Sequence, residues 1–135
     1  MNYWTKVTFI VFALVVSIIA LVQINNLTRP SSAPVPVIQK LYFEGTVGGK
    51  HAMSISIDQV GRNITGTVIN THREIRKLKG SISEDKTFLF SEYLKDQVTG
   101  TFEGKILSNG NMRGSWSAPP GIKRYPFYLN RKQRI

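Results

Sequence analysis

The chain has 135 residues, enough for one compact domain with an attached segment but too few for two domains of ordinary size. It contains no cysteine, which excludes disulfide bonds, thiolate metal sites, a catalytic thiol and a lipid-bearing cysteine. Lysine and arginine number 18 against 8 aspartates and glutamates, and the resulting net charge of +10 favours anionic partners.

An uncharged, apolar run covers residues 7–24, after a short flank at residues 1–6 that ends in Lys6. A helix of this length rises about 27 Å, close to the thickness of the hydrocarbon core of a bilayer. The run therefore predicts a transmembrane helix. A cleaved secretory signal is the alternative, but such signals usually have a shorter apolar region that ends in a small-x-small cleavage site.

Residues 25–40 contain three prolines among small and polar residues, a composition typical of an extended spacer. We therefore expect a Pro-rich stalk between the helix and the domain that follows. A signal-anchor with such a stalk favours a single-pass protein of the cytoplasmic membrane, with its N-terminus inside. The domain then lies in the periplasm or outside the cell.

From Leu41 onward apolar and polar residues alternate, which is the pattern of strands with one buried face. Turn residues divide this region, 41–130, into eight predicted strands. They are residues 41–47, 51–58, 62–70, 74–83, 87–94, 97–107, 111–118 and 124–130, and residues 131–135 form a basic tail. Because the connections are short, neighbouring strands must be antiparallel.

Glycine recurs on the face assigned to the core, each time with an apolar residue two positions away on either side. The instances are Phe43-x-Gly45-x-Val47, Ile64-x-Gly66-x-Val68, Leu78-x-Gly80-x-Ile82, Val98-x-Gly100-x-Phe102 and Met112-x-Gly114-x-Trp116. Glycine inside a strand marks a bend or a close backbone approach, so its repetition indicates a small sheet that coils on itself. We predict an all-β, up-and-down barrel, filled with side chains or holding one small ligand. An open coiled sheet or a two-sheet sandwich is the alternative.

Two segments resemble strands of known β-domains. Val98-Thr-Gly-Thr-Phe-Glu-Gly104 and Gly114-Ser-Trp-Ser-Ala-Pro-Pro120 are similar to the Gly-Thr-Phe-x-Gly and Gly-x-Trp-x-x-Pro strands of small extracytoplasmic bacterial β-domains. These domains are similar in turn to avidin-like and lipocalin-like barrels. The resemblance implies such a barrel over about residues 41–130, located outside the cytoplasm. It transfers no ligand-binding residue, because no position here matches their binding motifs.

Two side chains are candidates for the barrel interior. Glu92 continues the inward alternation of its predicted strand, so it is a candidate acid or base inside the barrel. The alternatives are a charge that protects a sheet edge and an ion-pair partner of Arg76. Trp116 ends the last of the glycine motifs on the same inward face.

The sequence lacks the residue sets that enzymes and metal sites require. The two histidines, His51 and His72, have no metal-ligand spacing and are interpreted as strand-edge or turn residues. The segment Gly45-Thr-Val-Gly-Gly-Lys50 lacks the spacing of a phosphate-binding loop. We expect no catalytic set, metal or cofactor.

Two basic clusters are candidates for binding an anion or a partner. They are Arg73, Arg76, Lys77 and Lys79, and Lys123, Arg124, Arg131, Lys132 and Arg134. A cation near an acidic membrane contributes about 1 kcal/mol to binding. A charged outer surface that protects a sheet edge is the alternative. Nucleic acid is not expected as a partner, because the predicted location is extracytoplasmic.

Together these features predict a membrane-anchored, non-enzymatic binding domain that acts outside the cytoplasmic membrane. Its expected partner is an envelope polymer, a small ligand, an anionic lipid or an acidic protein. One alternative is an accessory or structural subunit that packs into a larger membrane complex through its anchor helix. Another is an enzyme that uses Glu92 inside the barrel.

Overall fold

Eight strands follow one another in the computed structural model, which describes residues 33–134. They are β1 (Gln39–Val47), β2 (His51–Val60), β3 (Asn63–Ile69), β4 (Ile75–Ile82), β5 (Thr87–Leu94), β6 (Gln97–Ile106), β7 (Met112–Ser117) and β8 (Arg124–Lys132). Within residues 33–134 no helix is long and apolar enough to cross a membrane. The helix predicted at residues 7–24 and the first part of the predicted stalk lie outside the described residues, so both stay predictions.

Each strand pairs antiparallel with the next, and β1 also pairs with β8, which closes the sheet into a barrel. The predicted all-β barrel is confirmed, and the open sheet and the sandwich are excluded. β1 begins at Gln39, before the predicted domain boundary, and β8 extends into the predicted tail. The reason is pairing across the closure, where Tyr42 lies opposite Lys132.

Aromatic and aliphatic side chains from alternating positions fill most of the barrel interior. Phe43, Phe90 and Phe102 are the largest of the fully buried side chains, and the Phe102 ring meets that of Phe127 edge-on at a centroid distance of 5.6 Å. The other buried apolar residues are Leu41, Met53, Ile55, Ile57, Ile64, Val68, Leu78, Ile82, Phe88, Met112 and Leu129. Full burial of such a side chain contributes about 1.5–3 kcal/mol, so this core is the main source of stability in the domain.

Inward glycines lie directly opposite large side chains of the neighbouring strand. The cross-strand pairs are Gly45–Leu129, Gly66–Ile57, Gly80–Phe90 and Gly114–Phe127. A Cβ atom at any of these glycines would overlap a backbone carbonyl oxygen of an adjacent strand. The missing side chains therefore let the strands coil tightly while their large neighbours fill the interior.

A β-bulge interrupts the alternation in β6. Glu92 lies opposite Gly100, whereas the next residue of β5, Tyr93, lies opposite Val98, so Thr99 is the extra residue. The sequence pattern predicts Val98 on the core face, and this is wrong, since Val98 is 44% exposed. An inserted residue moves every side chain beyond it to the other face of the sheet, which a strict alternation cannot anticipate.

The loops alternate between the two ends of the barrel because the strands run up and down in sequence order. The β1–β2, β3–β4, β5–β6 and β7–β8 loops lie at one end, which we call the pocket end. The other end, here the terminal end, holds the remaining loops, the start of β1 and the end of β8. The ring of Phe43 near the terminal end lies 5.5 Å from the guanidinium carbon of Arg131.

We expect Gly114→Ala to lower the free energy of unfolding by about 1–3 kcal/mol, the usual cost of forcing extra atoms into a packed interior. The added methyl group would overlap the carbonyl oxygen of Glu103, which belongs to the backbone and has little room to move. The matched control is Ser115→Ala on the outer face, which should change stability by less than about 0.5 kcal/mol. Urea unfolding of the full chain measures both, and equal midpoints would contradict the close-approach role of Gly114.

Candidate functional site

A cavity of about 320 Å³ opens at the pocket end of the barrel. Its apolar lining comes from Val47, Met53, Val68, Phe102 and Trp116. Small-molecule sites have volumes of about 300–1,000 Å³ and often occupy the mouths of β-barrels. The size and position of the cavity thus suit one small ligand.

An ion pair lies in the wall of this cavity. Arg76 Nη1 of β4 donates to Glu92 Oε1 of β5 at 2.9 Å, and the Glu92 side chain is only 6% exposed. Thr99 Oγ1, which the bulge turns inward, donates to the same oxygen at 2.7 Å. The other carboxylate oxygen of Glu92 accepts no hydrogen bond from residues 33–134, so one acceptor in the wall is free for a ligand.

The β3–β4 loop brings a second carboxylate to Arg76, whose Nη2 donates to Glu74 Oε2 at 2.8 Å. Asn70 shapes this loop, because its Oδ1 accepts the backbone N–H groups of His72 at 2.9 Å and of Glu74 at 3.1 Å. The hydrogen bonds from Arg76 and then Asn70 lower the pKa of Glu74 below its ordinary value of 4.5. The same contact with Glu74 raises the pKa of Arg76, so the guanidinium stays charged.

Two buried N–H groups of the cavity lining have no acceptor. Arg76 Nε and Trp116 Nε1 lack a hydrogen-bond partner among the residues that the structure describes. Leaving a buried donor unpaired costs about 1–3 kcal/mol, and such groups are few in native proteins. Both nitrogens are almost fully covered by neighbouring atoms, so they lie behind the surface of the cavity wall and are not exposed in the cavity.

Gly100 explains why the Trp116 indole lies in the wall. A Cβ atom at Gly100 would overlap the indole nitrogen, and Gly100 is also the cross-strand partner of Glu92. Trp116 and Glu92 therefore both adjoin Gly100 on the inner surface. The Tyr125 ring lies 6.0 Å from the Trp116 ring, which adds a second aromatic surface for a flat ligand group.

The structure brings the interior candidates together. Glu92 and Trp116, the two residues predicted to face the barrel interior, both line the cavity. Arg76 belongs to the same wall, although its sequence neighbours place it in a basic cluster. Its inward orientation makes it part of the pocket.

The remaining cations of the basic clusters do not form two patches. Lys77 and Lys79 alternate with the inward residues of β4 and are exposed on the outer wall, and Arg73 lies in the β3–β4 loop. Lys123 and Arg124 lie at the pocket end, whereas Arg131, Lys132 and Arg134 lie at the terminal end. Because a strand rises about 3.3 Å per residue, the ends of β8 are about 26 Å apart, so the C-terminal cluster is spread over the length of the strand.

Three residues of the site were predicted in regular strands, and this is wrong. Asn70 and Glu74 lie in the β3–β4 loop, beyond the end of β3 and before the start of β4, and Thr99 is the bulge residue of β6. His51 is the first residue of β2 and His72 lies in the β3–β4 loop, which fits their interpretation as edge and turn residues, yet both line the cavity. Only Asn70 has a local signal, because asparagine at the start of a short polar loop favours this type of turn.

Comparison with known proteins supplies no identity for this site. Neither a scan against protein-family models nor a search of curated proteins returned a match. Over residues 33–134, no group of three or more histidine, cysteine, aspartate or glutamate side chains is arranged to hold a metal ion.

We expect Glu92→Gln to lower the free energy of unfolding by about 1.5–3 kcal/mol, the usual contribution of a hydrogen bond to a charged group. The amide keeps the shape of the carboxylate but loses its charge opposite Arg76. Glu84→Gln is the matched control, because the Arg62–Glu84 pair is exposed, with side-chain exposures of 66% and 84%. It should leave stability almost unchanged. Urea unfolding measures both variants. Equal losses in the free energy of unfolding would show that the buried ion pair contributes no more to stability than the exposed one.

A carboxylate titration by NMR should place the pKa of Glu74 below 4.5 in the unaltered chain, and Arg76→Met should raise it toward that ordinary value. Because the pKa of Glu74 is lowered in the folded state, its carboxylate stabilises the fold fully above pH 4.5. This contribution is lost as the pH falls through the lowered pKa. Asp85 is the internal control, since hydrogen bonds from Thr87 lower its pKa and Arg76 is not involved. A Glu74 pKa that does not respond to the loss of Arg76 would contradict the contact between the Arg76 guanidinium and the Glu74 carboxylate.

Proposed function

We propose that this chain is a non-enzymatic binding protein that takes up a small molecule at the pocket end of its barrel. The anchor predicted at residues 7–24 would hold it in the cytoplasmic membrane with the barrel outside. The observation that carries the proposal is a cavity of about 320 Å³ at one end of a closed barrel, lined by aromatic and aliphatic side chains and by the ion pair of Arg76 and Glu92.

The cavity lining suits a compact molecule with an aromatic or otherwise flat apolar body. The rings of Trp116 and Tyr125 offer that body two contact surfaces. A hydroxyl or N–H group on the ligand can donate to the free carboxylate oxygen of Glu92.

Among the partners predicted from the sequence, the small ligand has the most support. The barrel wall surrounds the cavity, so an envelope polymer enters only through a terminal group. An acidic protein needs a continuous basic face, and the outward cations of the two clusters are divided between the outer wall and both ends of the barrel.

The enzyme alternative gains no support from the surroundings of Glu92. One carboxylate oxygen of Glu92 already accepts hydrogen bonds from Arg76 and Thr99. These contacts hold the carboxylate in place and do not favour proton transfer by it. Acid–base catalysis by paired carboxylates requires two groups in different environments that act on the same substrate. Glu74, the other carboxylate near Arg76, is bound to that same guanidinium instead.

The proposal is tested with naphthalene-1-acetamide, an uncharged aromatic probe that carries an acceptor. The full chain in nonionic detergent has two tryptophans, and Trp4→Phe identifies the indole N–H signal of Trp116 by NMR. Because the Trp116 side chain lines the cavity, a bound aromatic probe changes the surroundings of the indole, and we expect the Trp116 signal to move in a saturable way.

Val47→Phe should weaken binding of the probe at least about tenfold, which corresponds to about 1.4 kcal/mol, because the larger side chain fills part of the cavity. The matched control is Val60→Phe near the terminal end, where the same substitution lies far from the pocket and should leave the affinity unchanged. Equal affinities in the two variants would contradict binding in the cavity.

A further inference from the structure

Three exposed cations lie around the mouth of the cavity, and they are the basis for an inference about the charge of the ligand. Lys50 lies in the β1–β2 loop, Arg73 in the β3–β4 loop and Lys123 in the β7–β8 loop. We call these three residues the rim cations. Around the barrel these loops are consecutive, so the rim cations lie along one arc of the mouth.

Each rim cation is next to a residue that lines the cavity. The Lys123 ammonium lies 5.2 Å from the ring centre of Tyr125, which belongs to the lining. Lys50 immediately precedes His51 and Arg73 immediately follows His72, and both histidines also line the cavity. The three loops that carry the rim cations therefore border the cavity.

Backbone and side-chain hydrogen bonds hold these loops together. The Gly48 N–H donates to the carbonyl oxygen of Pro126 at 2.7 Å, which holds the β1–β2 loop beside β8. Thr71 Oγ1 donates to the carbonyl oxygen of Ala52 at 3.1 Å, which holds the β3–β4 loop beside the start of β2. The arc of cations is thus part of a connected rim.

The rim cations have no carboxylate partner among residues 33–134. The ion pairs there are Lys40–Asp58, Arg62–Glu84, Arg76–Glu74, Arg76–Glu92 and Arg124–Glu103, and none includes a rim cation. Glu74 is at the same end but is bound to Arg76 and Asn70. The β5–β6 loop differs from the arc because its Lys95 adjoins Asp96.

The cavity lining below the rim has a different charge balance. Arg76 lies between Glu74 and Glu92, so the lining offers no excess positive charge to an anion. An anionic group therefore gains most at the rim, while an uncharged body gains most from the aromatic and aliphatic lining. The two regions divide the recognition of one ligand.

We propose that the pocket binds an amphipathic anion, with its apolar body in the barrel and its carboxylate, sulfate or phosphate group at Lys50, Arg73 and Lys123. This inference rests on the proposed function, because it names the class of ligand for the same cavity. Positive charge around a mouth also speeds the capture of an anion, and salt weakens that effect.

The test compares naphthalene-1-acetate with naphthalene-1-acetamide, which differ only in replacement of the carboxylate by an uncharged amide. Both are titrated into the full chain in nonionic detergent at pH 7 and low salt, with the Trp116 indole signal as the readout. We expect the acetate to bind about tenfold tighter, since several exposed ion pairs each contribute a factor of a few. The preference should shrink as salt shortens the range of the interaction.

Substitution of the rim cations separates local charge from total charge. The triple variant Lys50→Gln, Arg73→Gln, Lys123→Gln should lose the preference for the acetate. The matched control is Lys86→Gln, Arg113→Gln, Lys105→Gln away from the pocket, which removes the same charge and also includes one residue with positive φ, Lys86 at 69° against Arg73 at 59°. The control should keep the preference.

The outcomes distinguish the two proposals. Equal affinity for the acetate and the amide would overturn the anionic ligand and leave the proposed pocket standing. Equal loss of preference in both triple variants would assign the attraction to the net charge of the chain and overturn the role of the rim. A Trp116 signal that responds to neither probe would overturn the proposed function itself.

Discussion

The close approach of neighbouring strands at the inward glycines is the constraint on which the rest of the barrel depends. Wherever a Cβ atom would overlap a carbonyl oxygen of the next strand, the sheet coils tightly enough for β1 to meet β8. The large side chains opposite these glycines then fill the interior. At the pocket end a glycine makes room for a side chain instead of a neighbouring strand. Gly100, which lies opposite Glu92, leaves space for the Trp116 indole.

We propose that the buried ion pair contributes more to recognition than to stability. Desolvation of two charges consumes much of their attraction, and well-packed apolar residues of similar volume often serve a fold as well or better. Here Arg76, Glu92 and Thr99 interrupt the core only where the cavity opens. The pair also leaves one carboxylate oxygen of Glu92 without a partner among residues 33–134, and a donor group of a ligand can use that oxygen.

Most of the fold follows from residue patterns, because alternation, short turns and repeated glycines all indicate the same antiparallel barrel. The interior positions of Glu92 and Trp116 follow from the same alternation. The bulge at Thr99 does not follow from the alternation, since nothing local distinguishes an inserted residue from a paired one. The predicted inward position of Val98 is wrong for that reason. The rim cations are equally hard to predict from the sequence. Lys50, Arg73 and Lys123 are far apart along the chain and lie at the same end of the barrel only after it closes.

Native mass spectrometry of the full chain, isolated from the cells that produce it, tests most directly whether the barrel is a site for one small ligand. The proposed function predicts a single small molecule bound at one per chain, and the rim cations predict that it carries negative charge. A chain that carries nothing, or that carries only detergent and lipid in the proportions of the extract, would contradict a dedicated pocket in the barrel.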